Sequence, residues 1–150
     1  MPRLLIVANT PSTNTLALAS AVARGAEGSS IDVVRKTPLD ARSSDVQQAD
    51  AIIVGTTENF GAMSGLIKDF FERIYYDCLE QTQGLPFALY VRAGLDGQGT
   101  LDGVQRITSG LRWKLIQAPL LLHGQYQESF EADCEALGEL VAAGTEAGIF

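Results

Sequence analysis

Leu4-Leu5-Ile6-Val7-Ala8-Asn9-Thr10-Pro11-Ser12-Thr13-Asn14-Thr15 is the stretch that decides the fold. Five consecutive apolar residues without polar alternation have the pattern of a strand covered on both faces, as in a parallel sheet. A turn of hydroxyl and amide residues follows, and then Leu16, Ala19, Val22, Ala23 and Ala26 recur at helical spacing. Strand, short polar turn and helix, in that order, make the first half of a βαβ unit. The first N–H groups of a helix have no partner inside it, and its dipole favours an anion at that end. Thr and Ser hydroxyls add donors without adding charge. The turn therefore reads as a phosphate cradle, better suited to a monophosphate than to a triphosphate. The competing reading is an ordinary capped helix start, where Ser, Thr and Asn are favoured anyway.

Outward from this stretch the same alternation repeats. Further continuous apolar runs lie at 31–34, 51–54, 87–91 and 119–123, giving five strands with that at 4–8. Between them Met63, Leu66, Ile67, Phe70, Phe71 and Ile74 form one helical stripe. Leu101, Val104, Ile107, Leu111 and Leu115 form another. Phe130, Cys134, Leu137 and Val141 suggest a last helix, in which Gly138 and Gly144 are poor helix formers. Residues 35–50 are polar and contain Pro38, leaving room for one short helix capped near Ser43 or Ser44. Strands alternating with helices through right-handed crossovers predict an α/β three-layer sandwich on a five-stranded parallel sheet, one domain over 1–150.

Composition narrows the function. The 150 residues are 46% hydrophobic and 19% charged, the balance of a globular chain. Eleven Lys and Arg stand against eighteen Asp and Glu, a formal net charge of −7, which argues against a nucleic-acid partner. The two cysteines, Cys78 and Cys134, form no C-x-x-C pair and have no His cluster beside them, which argues against a disulfide scaffold or a zinc site. No apolar run is long enough to span a membrane, so the expectation is a reduced, cytoplasmic protein.

In a doubly wound sheet, ligands bind beyond the carboxyl ends of the strands, where strand order reverses. Three loops are expected there. The first is Thr10-Pro11-Ser12-Thr13-Asn14-Thr15. The second follows the third strand as Gly55-Thr56-Thr57-Glu58-Asn59-Phe60-Gly61-Ala62-Met63-Ser64-Gly65, and the third is Arg92-Ala93-Gly94-Leu95-Asp96-Gly97-Gln98-Gly99-Thr100. Glycines in the last two let backbone approach a flat ligand closely, and Phe60 offers a stacking surface. A phosphate on the first loop and a flat ring between the other two describe flavin mononucleotide, FMN. Simple turns for Gly94, Gly97 and Gly99, and rim packing for Phe60, are the plainer alternatives.

Thr10-Pro11-Ser12-Thr13-Asn14-Thr15 resembles the flavodoxin phosphate loop, T-G-T-G-N-T, with Pro11 and Thr13 where that pattern has glycines. Residues 55–65, followed by Leu66-Ile67-Lys68-Asp69-Phe70-Phe71-Glu72-Arg73, resemble the isoalloxazine loop and helix of NADPH-dependent FMN reductases and quinone reductases. The resemblance implies a flavodoxin-like strand order of 2-1-3-4-5. It implies bound FMN, with Thr10, Ser12, Thr13, Asn14 and Thr15 on the phosphate. Thr56, Thr57, Glu58, Asn59, Phe60 and Gly61 would line one side of the ring, and Ala93, Gly94, Asp96 and Gly97 the other. It further implies electron transfer from NAD(P)H to a quinone, flavin or similar small acceptor, with no catalytic acid–base residue and no metal. A homodimer with Tyr75-Tyr76-Asp77-Cys78-Leu79 at its surface is also implied. The alternatives are a flavodoxin-type carrier served by a redox partner protein, and a non-flavin interaction domain on the same fold.

Other chemistries lack their residues. There is no G-x-x-x-x-G-K-[ST] and no G-x-G-x-x-G after a strand. Ser64 falls one position late for G-x-S-x-G, and the residue six after each cysteine is Gly84 or Leu140 rather than the Arg of a phosphatase loop. Arg92 is open to three readings: the flavin N1–O2 edge, an external phosphate, or an ion pair with Asp96. His123, the lone histidine, reads as a surface residue more readily than a catalytic one.

Overall fold

The computed structural model describes residues 1–150. All five apolar runs become strands of one parallel sheet. In chain order the elements are β1 (Arg3–Ala8), α1 (Thr13–Ala26), β2 (Asp32–Lys36), α2 (Ser43–Gln47), β3 (Ala51–Asn59), β4 (Ala62–Met63), α3 (Gly65–Cys78), β5 (Pro86–Ala93), α4 (Gln98–Leu111), β6 (Lys114–Leu115), β7 (Leu120–His123) and α5 (Ser129–Ala147). β1 lies between β2 and β3, and β5 flanks β3, all parallel. β6 and β7 both pair in parallel with β5, at Pro86↔Lys114 and at Tyr90↔Leu120, so they are two pieces of one edge strand. Counted that way, the order is the expected 2-1-3-4-5.

Two details differ from the periodicity. Leu115 belongs to edge strand β6 and is 39% exposed, not the end of a helical stripe. The strand breaks before Pro119, which has no N–H to give to a ladder. Met63 sits in β4, ahead of α3, because residues 58–63 fold back as a hairpin.

Alternation within the strands sorts the core into two layers. Leu4, Ile6 and Ala8 face α1 and α5, packing on Leu18, Val22, Phe130, Cys134 and Val141. Leu5 and Val7 face the other way, toward Ile67, Phe70, Phe71 and Ile74 of α3 and Val104 of α4. Gly138 of α5 and Gly25 of α1 let the two helices touch. A Cβ on Gly138 would lie 2.0 Å from the Val22 carbonyl oxygen, and one on Gly25 2.0 Å from that of Glu135. A helical glycine costs about 1 kcal/mol against alanine, and the close approach offsets this with dispersion contacts. No helix is long and apolar enough to cross a membrane.

Candidate functional site

The carboxyl ends of β1, β3 and β5 bring the three loops to one edge of the sheet. At the first, Ser12 is the N-cap of α1 in extended backbone. Its hydroxyl accepts from Thr15 N at 3.2 Å, and the Thr15 hydroxyl accepts from Ser12 N at 2.9 Å, a reciprocal capping box. Ser12 and Thr15 are thus engaged with each other, and Thr15 is only 7% exposed. The N–H groups of Thr13 and Asn14, between them, have no partner in the chain, and both side chains face solvent. Thr10, half-buried, precedes the cap with its hydroxyl unbonded. The helix start therefore keeps two backbone donors and the polar groups of Thr10, Thr13 and Asn14 for an anion.

The second loop is largely strand. β3 runs on to Asn59, turns at Phe60-Gly61, and returns as β4 through Glu58↔Met63 and Asn59↔Ala62. Both turn residues have positive φ, 52° at Phe60 and 78° at Gly61, the mirror-image turn that matches strand twist. Gly61 was the available signal for this hairpin; Phe60 concealed it, since a bulky residue is uncommon there. Phe60 stands at the tip, fully exposed. Thr56, 1% exposed, locks the base: its hydroxyl accepts from Ser64 N at 3.1 Å. Thr57 donates to the Asn59 side chain at 2.9 Å and accepts from the Asn9 amide at 3.4 Å, tying the hairpin to the end of β1.

Loop three is held against the hairpin and not apart from it. The Glu58 carboxylate accepts from Leu95 N at 2.6 Å and from Gly97 N at 2.8 Å. Behind this bridge, a Cβ on Gly99 would lie 1.9 Å from the Gly61 carbonyl oxygen, so α4 begins in contact with the hairpin tip. Gly97, with φ of 74°, caps α4 and is buried, as is Ala93. Gly94 and Asp96 remain exposed, and Asp96 caps Gln98 N at 3.0 Å. Of the anticipated ring-lining residues, Asn59, Phe60, Gly94 and Asp96 are exposed at this edge and Thr57 is half-buried. Thr56, Ala93 and Gly97 support the rim from below, and Glu58 and Gly61 join its two halves.

Arg92 forms no ion pair with Asp96. Its guanidinium lies over the rings of Phe130 at 5.2 Å and Tyr126 at 5.8 Å, and donates to the carbonyls of Leu122 and Ala93 at 3.0 and 3.2 Å. It braces β5 and β7 against the start of α5. His123 is exposed at the end of β7. Both thiols are in the core: burial pushes Cys78 up to about 11, with the Asp77 charge adding, and Cys134 up to about 12, with Asp133 and Glu131 adding. Burial also raises Tyr126 to about 12, and its bond to Glu131 contributes. No group of His, Cys, Asp and Glu is arranged to hold a metal ion. In the segment expected at a dimer surface, Tyr76 is 83% exposed, whereas Cys78 is buried and Asp77 accepts from the Ser43 hydroxyl at 2.7 Å.

Comparison with known proteins adds a family. The family model described as NADPH-dependent FMN reductase matches residues 2–128. None of the curated proteins matches the chain. Among solved structures, a flavodoxin from the domain Archaea superposes with a TM-score of 0.83 at 20% identity, covering 96% of this chain and 99% of that one. The two-electron reduced flavodoxin of Megasphaera elsdenii gives 0.78 at 19%, covering 93% and 98%. A WrbA-like flavodoxin from Agrobacterium tumefaciens gives 0.75 at 18%, covering 97% and 98%. At these identities the likeness shows the fold.

Proposed function

The chain belongs to the NADPH-dependent FMN reductase family, and on that premise we propose an FMN-binding oxidoreductase that takes electrons from NAD(P)H and delivers them to a quinone, flavin or similar small acceptor. The observation that carries the reading is one sheet edge: the unpartnered N–H groups of Thr13 and Asn14 lie beside a hairpin that holds a fully exposed aromatic ring. A phosphate needs the first, and a planar apolar ring system needs the second. The residues present fit FMN in both respects.

When bound, the isoalloxazine supplies the two-electron chemistry that no side chain of this protein can perform. The chain positions and tunes. Thr10, Thr13 and Asn14 hold the phosphate by donors alone, while the Ser12–Thr15 box fixes the helix start that presents them. Thr57, Asn59 and Phe60 on the hairpin, with Gly94 and Asp96 on loop three, border the ring. Glu58 joins the two halves of this rim. Its charge, which would disfavour an anionic reduced ring, is partly answered by two backbone N–H groups. Both thiols are free and buried in the core.

The test is a visible spectrum of the purified protein before and after adding FMN and removing the excess. Retained flavin bands, and NAD(P)H oxidation that depends on an added quinone or flavin, are expected. Bound FMN without NAD(P)H oxidation would move the assignment to an electron carrier that needs a partner reductase. A protein that ignores FMN would refute the cofactor and the activity together.

A further inference from the structure

Charge is unevenly placed around the rim. Within the three loops, residues 10–15, 55–65 and 92–100, the acidic residues are Glu58 and Asp96 and the basic one is Arg92. Glu58 accepts from the N–H groups of Leu95 and Gly97, on either side of Asp96, so the two carboxylates stand together on loop three. Asp96 in turn takes the Gln98 N–H. These backbone donors are therefore engaged by the protein's own carboxylates and are not free to meet negative charge on a ligand.

Strand alternation places Arg92 on the opposite face of the sheet. Val54 of β3 packs toward α3 and α4, and Glu58 follows it at an even step on that same face. Ile53 packs toward α1 and α5, so Thr57 falls on their side, and Arg92 is its register partner on β5. The guanidinium is half-buried over Phe130 and Tyr126, and the carbonyls of Leu122 and Ala93 hold it. Glu131, beside it, bonds the Tyr126 hydroxyl and forms no ion pair with Arg92. A guanidinium keeps its charge throughout the working pH range, and here no contacting carboxylate cancels its field. The sheet edge that carries the ring site thus lies between a held carboxylate on one face and a held cation on the other.

We propose that Arg92 is the counter-charge to Glu58 and Asp96 and sets the reduction potential of the ring bound at this edge. The inference rests on the FMN reading. Two electrons and one proton convert oxidised FMN to its anionic reduced form, so the ring gains one negative charge. Glu58 and Asp96 oppose that charge, and Arg92 favours it. Arg92 acts through its field alone, because its carbonyl and aromatic contacts hold the guanidinium in place. At an effective dielectric of about 20, a unit charge within about 10 Å changes such an equilibrium by roughly tenfold.

Redox titration of the FMN-loaded protein with dithionite, against a reference dye at alkaline pH, tests it. Arg92→Gln keeps a donor for the two carbonyls and loses the charge. It should weaken reduced FMN relative to oxidised FMN about tenfold, a fall of about 30 mV in the two-electron midpoint. Arg92→Met should give the same fall, and stands in if Arg92→Gln does not fold. Arg92→Lys keeps the charge and should hold the ratio of the two affinities within about twofold of wild type. Each of these variants takes the guanidinium off Phe130 and should lower the melting temperature, so a purely structural role would not separate Lys from Gln. Arg24→Gln removes a cation about 16 Å along α1 from Thr13 and should leave the midpoint unchanged. An unchanged or raised midpoint in Arg92→Gln, or equal falls in Arg92→Gln and Arg92→Lys, would overturn the role of Arg92 while leaving the cofactor in place. Wild-type protein that retains no FMN in the absorption test would overturn the cofactor reading, and this inference with it.

Discussion

Gly99→Ala is the sharpest test of how the rim is built. By helix propensity alone it should stabilise, since alanine is favoured over glycine inside a helix by about 1 kcal/mol. The tertiary structure reverses the sign. The new Cβ would lie 1.9 Å from the Gly61 carbonyl oxygen, and ordinary contact begins at 3.4 Å, so the hairpin tip must retreat by about 1.5 Å. That movement breaks the Glu58 bridge, whose two bonds span 2.6 and 2.8 Å. Each is charge-assisted, at about 1.5–3 kcal/mol net, and partial exposure puts them at the lower figure. Together they outweigh the helical gain by roughly 2 kcal/mol. In a chain of this length that lowers the melting temperature by roughly 4–8 °C. The same retreat carries Phe60 out of place, so FMN affinity should fall about tenfold or more. Thermal unfolding and flavin-fluorescence titration read the two effects. Gly65→Ala, at an open position on the first turn of α3, is the control: it should melt at or slightly above the wild type and leave FMN affinity unchanged. If Gly99→Ala melts at or above the wild type and binds FMN within about twofold, the hairpin and loop three are not mechanically joined.

Phe60→Asn separates stability from ligand binding: Asn-Gly suits the mirror-image turn, so stability should rise by up to about 1 kcal/mol in denaturant titration while FMN affinity falls. An affinity equal to wild type would remove Phe60 from the ring site. Gly138→Ala must force α1 and α5 apart at the Val22 carbonyl and should cost about 1–3 kcal/mol despite better helix propensity; a neutral result would show that the helices slide freely. The raised thiol values set an alkaline limit. Unfolded cysteines ionise near 9, whereas Cys78 and Cys134 do so at about 11 and about 12 in the fold. The unfolded chain therefore loses protons first, and the stability these groups contribute is complete below about pH 9 and is lost as pH rises toward 12. Melting temperatures should decline over that window, and at pH 8 native thiols should resist maleimide until the chain unfolds. At micromolar concentration, sedimentation should give twice the monomer mass if the exposed Tyr76 face is a dimer surface, and the monomer mass refutes it.

The local sequence alone determined the sheet and the capped polar turn at the start of α1. Continuous apolar runs at 4–8, 51–54 and 87–91 can only be buried on both faces, so the strands and their covering helices follow from the pattern. The Ser12–Thr15 spacing likewise contains its own capping box, because both partners lie within one turn of helix. What lay beyond reach was everything set by residues distant in sequence. Glu58 reads as a carboxylate beside a ring, and nothing near it in sequence reports that it also ties down loop three, 37 residues on. Nor does the sequence near Arg92 report that α5 brings Phe130 beneath its guanidinium in place of a pair with Asp96. Gly99 reads as a turn and Gly138 as a weak point in a helix, and each is instead the place where another backbone comes within van der Waals reach. Periodicity reports which side of an element is apolar, a property of neighbours along the chain. It carries no information about which backbone or charge will stand opposite, because that depends on how separate elements meet, and only the packed structure settled it.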